Sequence, residues 1–401
     1  MINRNFMLLW IGRIISQIGD KFYAIALAWW ILQKSNSPSI MGFFLLTSVL
    51  PGIILGFYAG VLTDRLRRKN ILIITDILRG VLILILTYLS WGGFLIIWQV
   101  FVIGFLMSVV TAFFDPAIQA FTPDIVEHEK LPKANGLNQM VGGACTFIGP
   151  LMGAISVSIL GVTSVFFVNG VSYFLSALLT AFVHIERTRK HSSENQKIWT
   201  DMKEGVSFIK NRKQIKLVLM VIAVVHFFIG GLTVAIPFLA RYLNGSGVNN
   251  LGYLEMMLGI GLFAGAIIIS LRKKPLITVK FLLEFITLVG SCLIIVSMMI
   301  LLNFRSVLIY MPVLAIIGVS IAGASVFWQS LLQYYTPKEM MGRIFGLSAL
   351  IGNTTLPVAY GIFGVLLNYS SVMIMMAING FCLVFITFVI KHQGKRIENI
   401  R

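Results

Sequence analysis

The chain has 401 residues, of which 58% are hydrophobic and only 12% are charged, and its formal net charge is +17. A water-soluble fold of this composition would lack the polar surface that it needs, which excludes a soluble enzyme or binding domain. The basic residues stand in short clusters between apolar runs, and this pattern excludes a nucleic-acid-binding patch.

Apolar runs recur from one end of the chain to the other, and each is long enough to cross a hydrocarbon core, which takes about 20 helical residues. Charged residues and Gly, Pro or Asn breaks divide these runs into predicted helices. The predicted ranges are 6–32, 39–62, 71–90, 95–120, 136–159, 162–184, 214–241, 250–271, 280–302, 306–332, 343–367 and 371–390. The predicted fold class is therefore an all-α membrane protein with twelve transmembrane helices.

The basic clusters predict how the chain is oriented. Most of the 32 basic residues fall on alternate connections between the predicted helices. Such connections face the cytoplasm in membrane proteins. We therefore expect a multi-pass protein of the plasma (inner) membrane with both termini in the cytoplasm.

The longest polar stretch divides the helices into two groups of six. The predicted domains are a six-helix bundle at 1–185, a cytoplasmic linker at 186–213 and a second six-helix bundle at 214–401. After the fourth predicted helix residues 121–124 read Phe-Thr-Pro-Asp, and after the tenth residues 335–338 read Tyr-Thr-Pro-Lys. This similarity indicates two pseudo-repeats in parallel, a plan found in transporters.

Four polar residues of the first helix share one face. Arg13, Ser16, Gln17 and Asp20 lie at spacings of three, four and seven, so we expect them to line a cavity. An ionised side chain near the middle of a span costs about 2.5–3.5 kcal/mol on insertion scales. Without a partner, the carboxyl of Asp20 would take up a proton, which is what a proton-coupled carrier needs. The alternative is a fixed ion pair with Arg13 or Lys21.

Asp76 and Arg79 are three residues apart on the third helix, a spacing that predicts a local, structural ion pair. His226 lies near the middle of the seventh helix, and its candidate roles are proton carrier and satisfied buried imidazole. Gln329 on the tenth helix is a candidate for a cavity lined by amide and aromatic groups.

Residues 60–69, between the second and third helices, read Gly-Val-Leu-Thr-Asp-Arg-Leu-Arg-Arg-Lys. This segment resembles the signature loop of the major facilitator superfamily, with Gly60, Asp64, Arg65 and Arg68 on matching positions. The loop differs at Arg67, where the family has glycine. The resemblance implies a conformational latch on the cytoplasmic side, whereas the alternative interpretation is a basic loop that only fixes topology.

An acid on the fourth helix partners the loop arginine in that family. The resemblance therefore places Asp115 in the latch and implies a contact between Asp115 and Arg68. In the fifth helix Gly149, Pro150 and Gly153 resemble the Gly-Pro motif of the superfamily's exporters. Glycines allow close helix packing and proline bends a helix, and the motif favours export as the direction of transport.

The whole chain resembles one subgroup of the superfamily. Residues 19–23 (Gly-Asp-Lys-Phe-Tyr), 114–117 (Phe-Asp-Pro-Ala) and 122–124 (Thr-Pro-Asp) carry this resemblance together with the loop. The chain is similar to the drug-proton antiporters, a subgroup that includes bacterial macrolide exporters. The resemblance implies proton-coupled efflux of an amphipathic or cationic small molecule by alternating access. A siderophore exporter and a lysophospholipid flippase on the same scaffold are the alternatives.

Other classes lack support in the sequence. A membrane-embedded enzyme would need a nucleophile, metal or paired-acid constellation, and an ATP-driven pump would need a phosphate-binding loop. A channel would need a repeated filter-like loop or a charged ring. We expect no cofactor, no metal and no nucleic acid. The expected partners are a small-molecule substrate, protons and the lipid bilayer, and the chain is expected to act as a monomer.

Overall fold

The structure is a computed structural model, and it describes residues 3–184, 207–210, 212–271, 279–337 and 340–398. The chain forms two compact units, Met1–Glu194 and Asn195–Arg401. Most of the predicted linker at 186–213 lies outside the described residues.

The described residues of the first unit contain six long α-helices and a short 3-10 helix at His128–Lys130. The first four are α1 (Arg4–Ser35), α2 (Pro38–Arg65), α3 (Arg68–Trp91) and α4 (Ile97–Ile125). A helical stretch then runs over Leu131–Ala181, but Gly161 inside it has a φ of 78° and a ψ of 163°, which no helix accommodates. Gly161 therefore divides the stretch into α5 (131–160) and α6 (162–181), close to the predicted boundary between the fifth and sixth helices.

Local signals begin and end the first helix. The Asn3 side chain accepts a hydrogen bond from the Phe6 amide at 2.9 Å and so caps the start of α1. Asn36 ends it in the left-handed conformation at a φ of 48°. Ser37 and Pro38 follow as the N-cap and first residue of α2, the positions that these residue types favour.

The described residues of the second unit also contain six long helices. They are α7 (Lys213–Tyr242), α8 (Gly247–Ser270), α9 (Val279–Leu301), α10 (Val307–Tyr335), α11 (Met341–Tyr369) and α12 (Val372–Glu398). Together with the first unit this makes twelve long helices in the described chain, and the predicted all-α fold is confirmed.

The helices pair in the same way inside each unit. In the first unit α1 packs on α5 and α6, α2 packs on α4, and α3 packs on α4 and α6. In the second unit α7 packs on α11 and α12, α8 packs on α10, and α9 packs on α10 and α12. Glycines make equivalent close contacts. Gly170 of α6 packs on Leu84 of α3, and Gly380 of α12 packs on Ile294 of α9. The structure therefore confirms the two predicted six-helix pseudo-repeats.

Ten helical stretches of the described chain are long and apolar enough to cross a membrane, with α5 and α6 counted as one. The described helix outside this set is α1, which carries the charged residues Arg13, Asp20 and Lys21. Large apolar side chains elsewhere are exposed, such as Trp91 at 84% and Tyr369 at 87%. Apolar side chains that face lipid rather than water account for such exposure. Helices can lie in lipid in this way because they satisfy their own backbone hydrogen bonds.

Candidate functional site

A charged cavity of about 230 Å³ lies inside the first unit, between α1, α3, α4 and α6. All four polar residues of the stripe on α1 line it. The full lining consists of Arg13, Ser16, Gln17, Asp20, Tyr23, Arg79, Met107, Thr111, Phe114, Asp115 and Tyr173. The cavity therefore combines carboxylates, guanidinium groups and aromatic rings.

Arg79 is held on three sides. It forms an ion pair with Asp76, as the spacing of three predicts, and the two side chains are only 4% and 1% exposed. Its guanidinium carbon lies 3.8 Å from the ring centre of Phe114 and 4.6 Å from that of Tyr173. Aromatic faces attract cations, and more strongly where water is excluded. Arg79 is thus fixed in place by its neighbours.

Asp20 is held by a neutral group. The hydroxyl of Tyr173 donates a hydrogen bond to Asp20 Oδ1. Within the part of the chain that the structure describes, this is the only hydrogen bond of the carboxyl, and no ion pair accompanies it. The predicted alternative of a fixed ion pair with Arg13 or Lys21 is therefore not what the described residues form.

Several other charged or titratable groups, on α1 itself and on the helices around it, interact electrostatically with Asp20. These are Lys21, Tyr23, Asp76, Arg79, Asp115 and Cys145. Lys21 is not part of the cavity lining, and the stem of its side chain packs toward Gly149 of α5. Asp20 therefore belongs to an electrostatic cluster but forms no ion pair with any one cation among the described residues.

The predicted contact between Asp115 and Arg68 is wrong. Arg68 donates instead to both carboxylate oxygens of Asp124, at 3.0 Å each, and to the backbone oxygen of Ala120 at 2.9 Å. Asp124 lies nine residues beyond Asp115, about 13–14 Å farther along α4 at 1.5 Å per residue. Asp115 is exposed in the cavity, where Arg79 and Arg13 are its electrostatic neighbours.

The loop region ties three helices together at one end of the first unit. The Arg68–Asp124 ion pair joins the start of α3 to the end of α4. Lys69 Nζ donates to the backbone oxygens of Ala181 and Val183, at 2.7 and 2.8 Å, and so joins α3 to the end of α6. Three other predicted latch residues, Gly60, Asp64 and Arg65, have surroundings that lie outside the described part of the structure.

The Gly-Pro motif brings α5 against α1 next to Asp20. A Cβ atom at Gly149 would stand 2.5 Å from Cβ of Lys21, and one at Gly153 would stand 3.0 Å from Cα of Phe22. Pro150 lies between them inside the helix. Side chains at the two glycine positions would therefore push α5 away from the segment that carries Asp20.

The remaining sequence candidates lie in the second unit. His226 Nδ1 is 2.9 Å from the backbone oxygen of Ile222, one turn earlier in α7, and its ring packs beside Gly352 of α11. This geometry is that of an imidazole bonded within its own helix. Gln329 lies on α10 with an exposed side chain.

The repeat shows that four members of the charged cluster have no polar counterpart in the second unit. Gly19 packs on Asn169, and Gly231 packs in the same way on Asn379, which aligns α1 with α7. The equivalent contacts of Gly170 and Gly380 align α3 and α6 with α9 and α12. On this alignment the counterparts of Asp20, Asp76, Arg79 and Tyr173 are all apolar, namely Leu232, Ile286, Val289 and Leu383.

Sequence reasoning missed Tyr173. The signal that would have found it is a second polar stripe, on α6. Asn169, Ser172, Tyr173 and Ser176 recur at helical spacings of three and four, and each is at most 4% exposed. A polar face of this kind inside an apolar run predicts a neighbouring polar partner.

Two repeats of membrane-spanning helices, with a charged cavity inside one bundle, define the class of membrane transporters. The family model of the Major Facilitator Superfamily matches residues 9–356. The chain therefore belongs to that superfamily and is a secondary transporter, not an enzyme.

Known proteins support this assignment at two levels. Macrolide efflux protein A of Streptococcus pyogenes is 25% identical over 360 residues, which cover 88% of this chain and 87% of that protein. The crystal structure of a bacterial homologue of the iron transporter ferroportin, in an inward-facing state, matches 96% of this chain and 98% of its own with a TM-score of 0.74 at 13% identity. The nucleoside transporter NupG matches 98% of this chain and 100% of its own, with a TM-score of 0.74 at 10% identity. The two structural matches show a shared fold.

Proposed function

We propose that the protein exports an amphipathic or cationic small molecule in exchange for protons, by alternating access. The observation that carries this proposal is where the Asp20 carboxyl lies and which group bonds to it. Its carboxyl lines the cavity, and its hydrogen-bond donor is the neutral hydroxyl of Tyr173. A carboxylate locked to a cation would resist protonation, whereas one held by a hydroxyl can exchange its charge for a proton.

The charge balance of the cavity supports the same role. Asp20, Asp76 and Asp115 face two guanidinium groups, those of Arg13 and Arg79. Asp76, which is outside the cavity lining, engages the Arg79 charge, so within the lining the carboxyls of Asp20 and Asp115 face the guanidinium of Arg13 alone; Lys21 acts on Asp20 from outside the lining. One carboxylate is left to be neutralised by a proton or by a cationic substrate. Proton and substrate then compete for the same charge, and this competition is the coupling.

The competition between proton and substrate gives the energy source, and two separate observations favour the direction of transport. Exchange of one proton for one cation moves no net charge and draws on the pH gradient alone. When each cycle moves net positive charge inward, as in exchange of a proton for a molecule without net charge, a membrane potential adds about 2.3 kcal/mol per unit charge per 100 mV. Similarity to a macrolide efflux protein and the Gly149-Pro150 motif favour export. We place both termini in the cytoplasm because the basic clusters fall on the same alternate connections as the termini, and such clusters face the cytoplasm in membrane proteins. We assign the activity to a monomer.

The test is transport by the purified protein in proteoliposomes, with and without an imposed pH gradient. A macrolide, a siderophore and a lysophospholipid serve as probes, so that the two alternative substrates are also examined. Asp20→Asn keeps the size and hydrogen bonding of the side chain but cannot titrate. This variant should lose accumulation driven by the pH gradient and still exchange substrate passively.

Asp115→Asn is the matched control, since it removes a carboxyl from the same cavity. It should weaken substrate affinity but still build a gradient when the pH difference is imposed. If Asp20→Asn accumulates substrate as steeply as wild type, Asp20 is only structural. A wild-type protein that moves the siderophore or the lysophospholipid, but no macrolide, would replace the proposed substrate with that class.

A further inference from the structure

Arg13 is a cation without a described partner inside the cavity. Its guanidinium is half-buried and lines the cavity, and among the described residues it makes no hydrogen bond and no ion pair. Its electrostatic neighbour is Asp115. A guanidinium carries five N–H donors in a fork that fits a carboxylate or phosphate. Keeping such a group open inside a membrane span is costly, so a functional partner is the expected explanation.

Two further groups beside Arg13 are also open. The side-chain oxygen of Gln17, one turn along α1, is buried and has no hydrogen-bond partner in the described structure. Buried polar atoms without partners are uncommon and costly. The carboxylate of Asp115, on α4, is exposed to the cavity and accepts no hydrogen bond from the described residues. One cavity therefore offers an open cation, an open anion and an open amide.

Arg79 does not share this character, although it lines the same cavity. It is bonded to Asp76 and is covered by the rings of Phe114 and Tyr173. The contrast separates the two guanidinium groups by role. Arg79 is ion-paired and covered by two rings, with only its buried Nε left without a hydrogen-bond partner, whereas the guanidinium of Arg13 remains available to a ligand.

We propose that Arg13 and Asp115 form a paired subsite for a zwitterion, so that the transported molecule carries an acidic group as well as an ammonium group. Arg13 binds the carboxylate or phosphate, Asp115 binds the ammonium, and the Gln17 amide binds a polar group between them. Asp20 carries the proton, and the ammonium bound at Asp115 competes with that proton through the electrostatic interaction between the two carboxyls. This inference rests on the proposed function and narrows its substrate class from cationic to zwitterionic.

Two sources supply this chemistry, a small amino-acid-like molecule and a zwitterionic lipid headgroup, and the experiment separates them. The dipeptide alanylphenylalanine is compared with its methyl ester, which lacks the anion, and with its N-acetyl form, which lacks the cation. Binding is measured by calorimetry on the protein in nanodiscs. In the lipid arm, transbilayer movement of lysophosphatidylethanolamine is compared with that of lysophosphatidylglycerol, which lacks the ammonium.

Wild type should favour the zwitterion over its singly charged relatives by roughly tenfold or more in at least one arm. In the dipeptide arm Arg13→Gln should erase the preference over the methyl ester, and Asp115→Asn the preference over the N-acetyl form. In the lipid arm Asp115→Asn should erase the preference for the ethanolamine headgroup. Arg4→Gln makes the same change at an exposed position of α1 and should leave every ratio unchanged.

The proposal is overturned if neither zwitterion is preferred, if no zwitterionic probe binds, or if Arg4→Gln erases the preference as Arg13→Gln does. These outcomes are distinct from a failure of the proposed function. Should Asp20→Asn still uncouple transport while neither zwitterion is preferred over its singly charged relatives, only the zwitterion subsite is refuted.

Discussion

Removal of the Tyr173 hydroxyl tests the link between Asp20 and its neighbours most directly. Tyr173→Phe deletes the one described donor to the Asp20 carboxyl and keeps the ring whose centre lies 4.6 Å from the guanidinium carbon of Arg79. The ring is buried, at 1% exposure, so the phenylalanine ring fills the same space. The substitution therefore removes a hydrogen bond with little change in packing.

The size of the effect follows from the charge on the acceptor. Hydrogen bonds to charged groups contribute about 1.5–3 kcal/mol. Because one pH unit corresponds to about 1.36 kcal/mol, losing this bond should move the pH midpoint of export by about 1–2 units. The hydroxyl donor stabilises the ionised carboxylate, so without it the proton is held more firmly. The midpoint should therefore move to higher pH.

The assay is the initial rate of export in proteoliposomes as a function of pH. Tyr23→Phe is a matched control, because Tyr23 lines the same cavity but donates no hydrogen bond to Asp20 in the described structure. Its midpoint should stay within about 0.3 units of wild type, well below the shift of one unit or more that the lost bond predicts. An unchanged profile for Tyr173→Phe, or an equal shift for Tyr23→Phe, would refute the reasoning.

Three further predictions concern stability, the latch and topology. A Cβ at Gly265 would stand 2.7 Å from the backbone oxygen of Val319, so Gly265→Ala should destabilise the second unit by about 1–3 kcal/mol in detergent melting curves. Gly346→Ala, where nothing lies within 4 Å, should not; equal melting of the two variants would contradict the packing argument. Arg68→Ala should slow conformational exchange and transport while leaving substrate affinity largely intact, and a loss of affinity with normal exchange would contradict a latch. Reporter fusions should score cytoplasmic at the C-terminus and external within 244–250, and a reversed result at either site would refute the orientation.

The positions and number of the helices could be predicted from the sequence. Apolar runs long enough to span a bilayer must satisfy their backbone hydrogen bonds internally, which leaves few alternatives to helices. The Asp76–Arg79 pair and the polar face of α1 were predictable for a related reason. Both depend only on spacing within one helix, and helix geometry is fixed.

Contacts between helices could not be read in this way. Tyr173 and Asp20 are 153 residues apart, and only the packing of α6 on α1 brings them together. For Arg68 the resemblance implied Asp115 as the partner, but α4 carries a second acid, Asp124, and the depth at which α3 begins beside α4 brings Arg68 to that one. Sequence spacing determines which side chains share a face of one helix, whereas the rotation and depth of each helix in the bundle decide which faces meet.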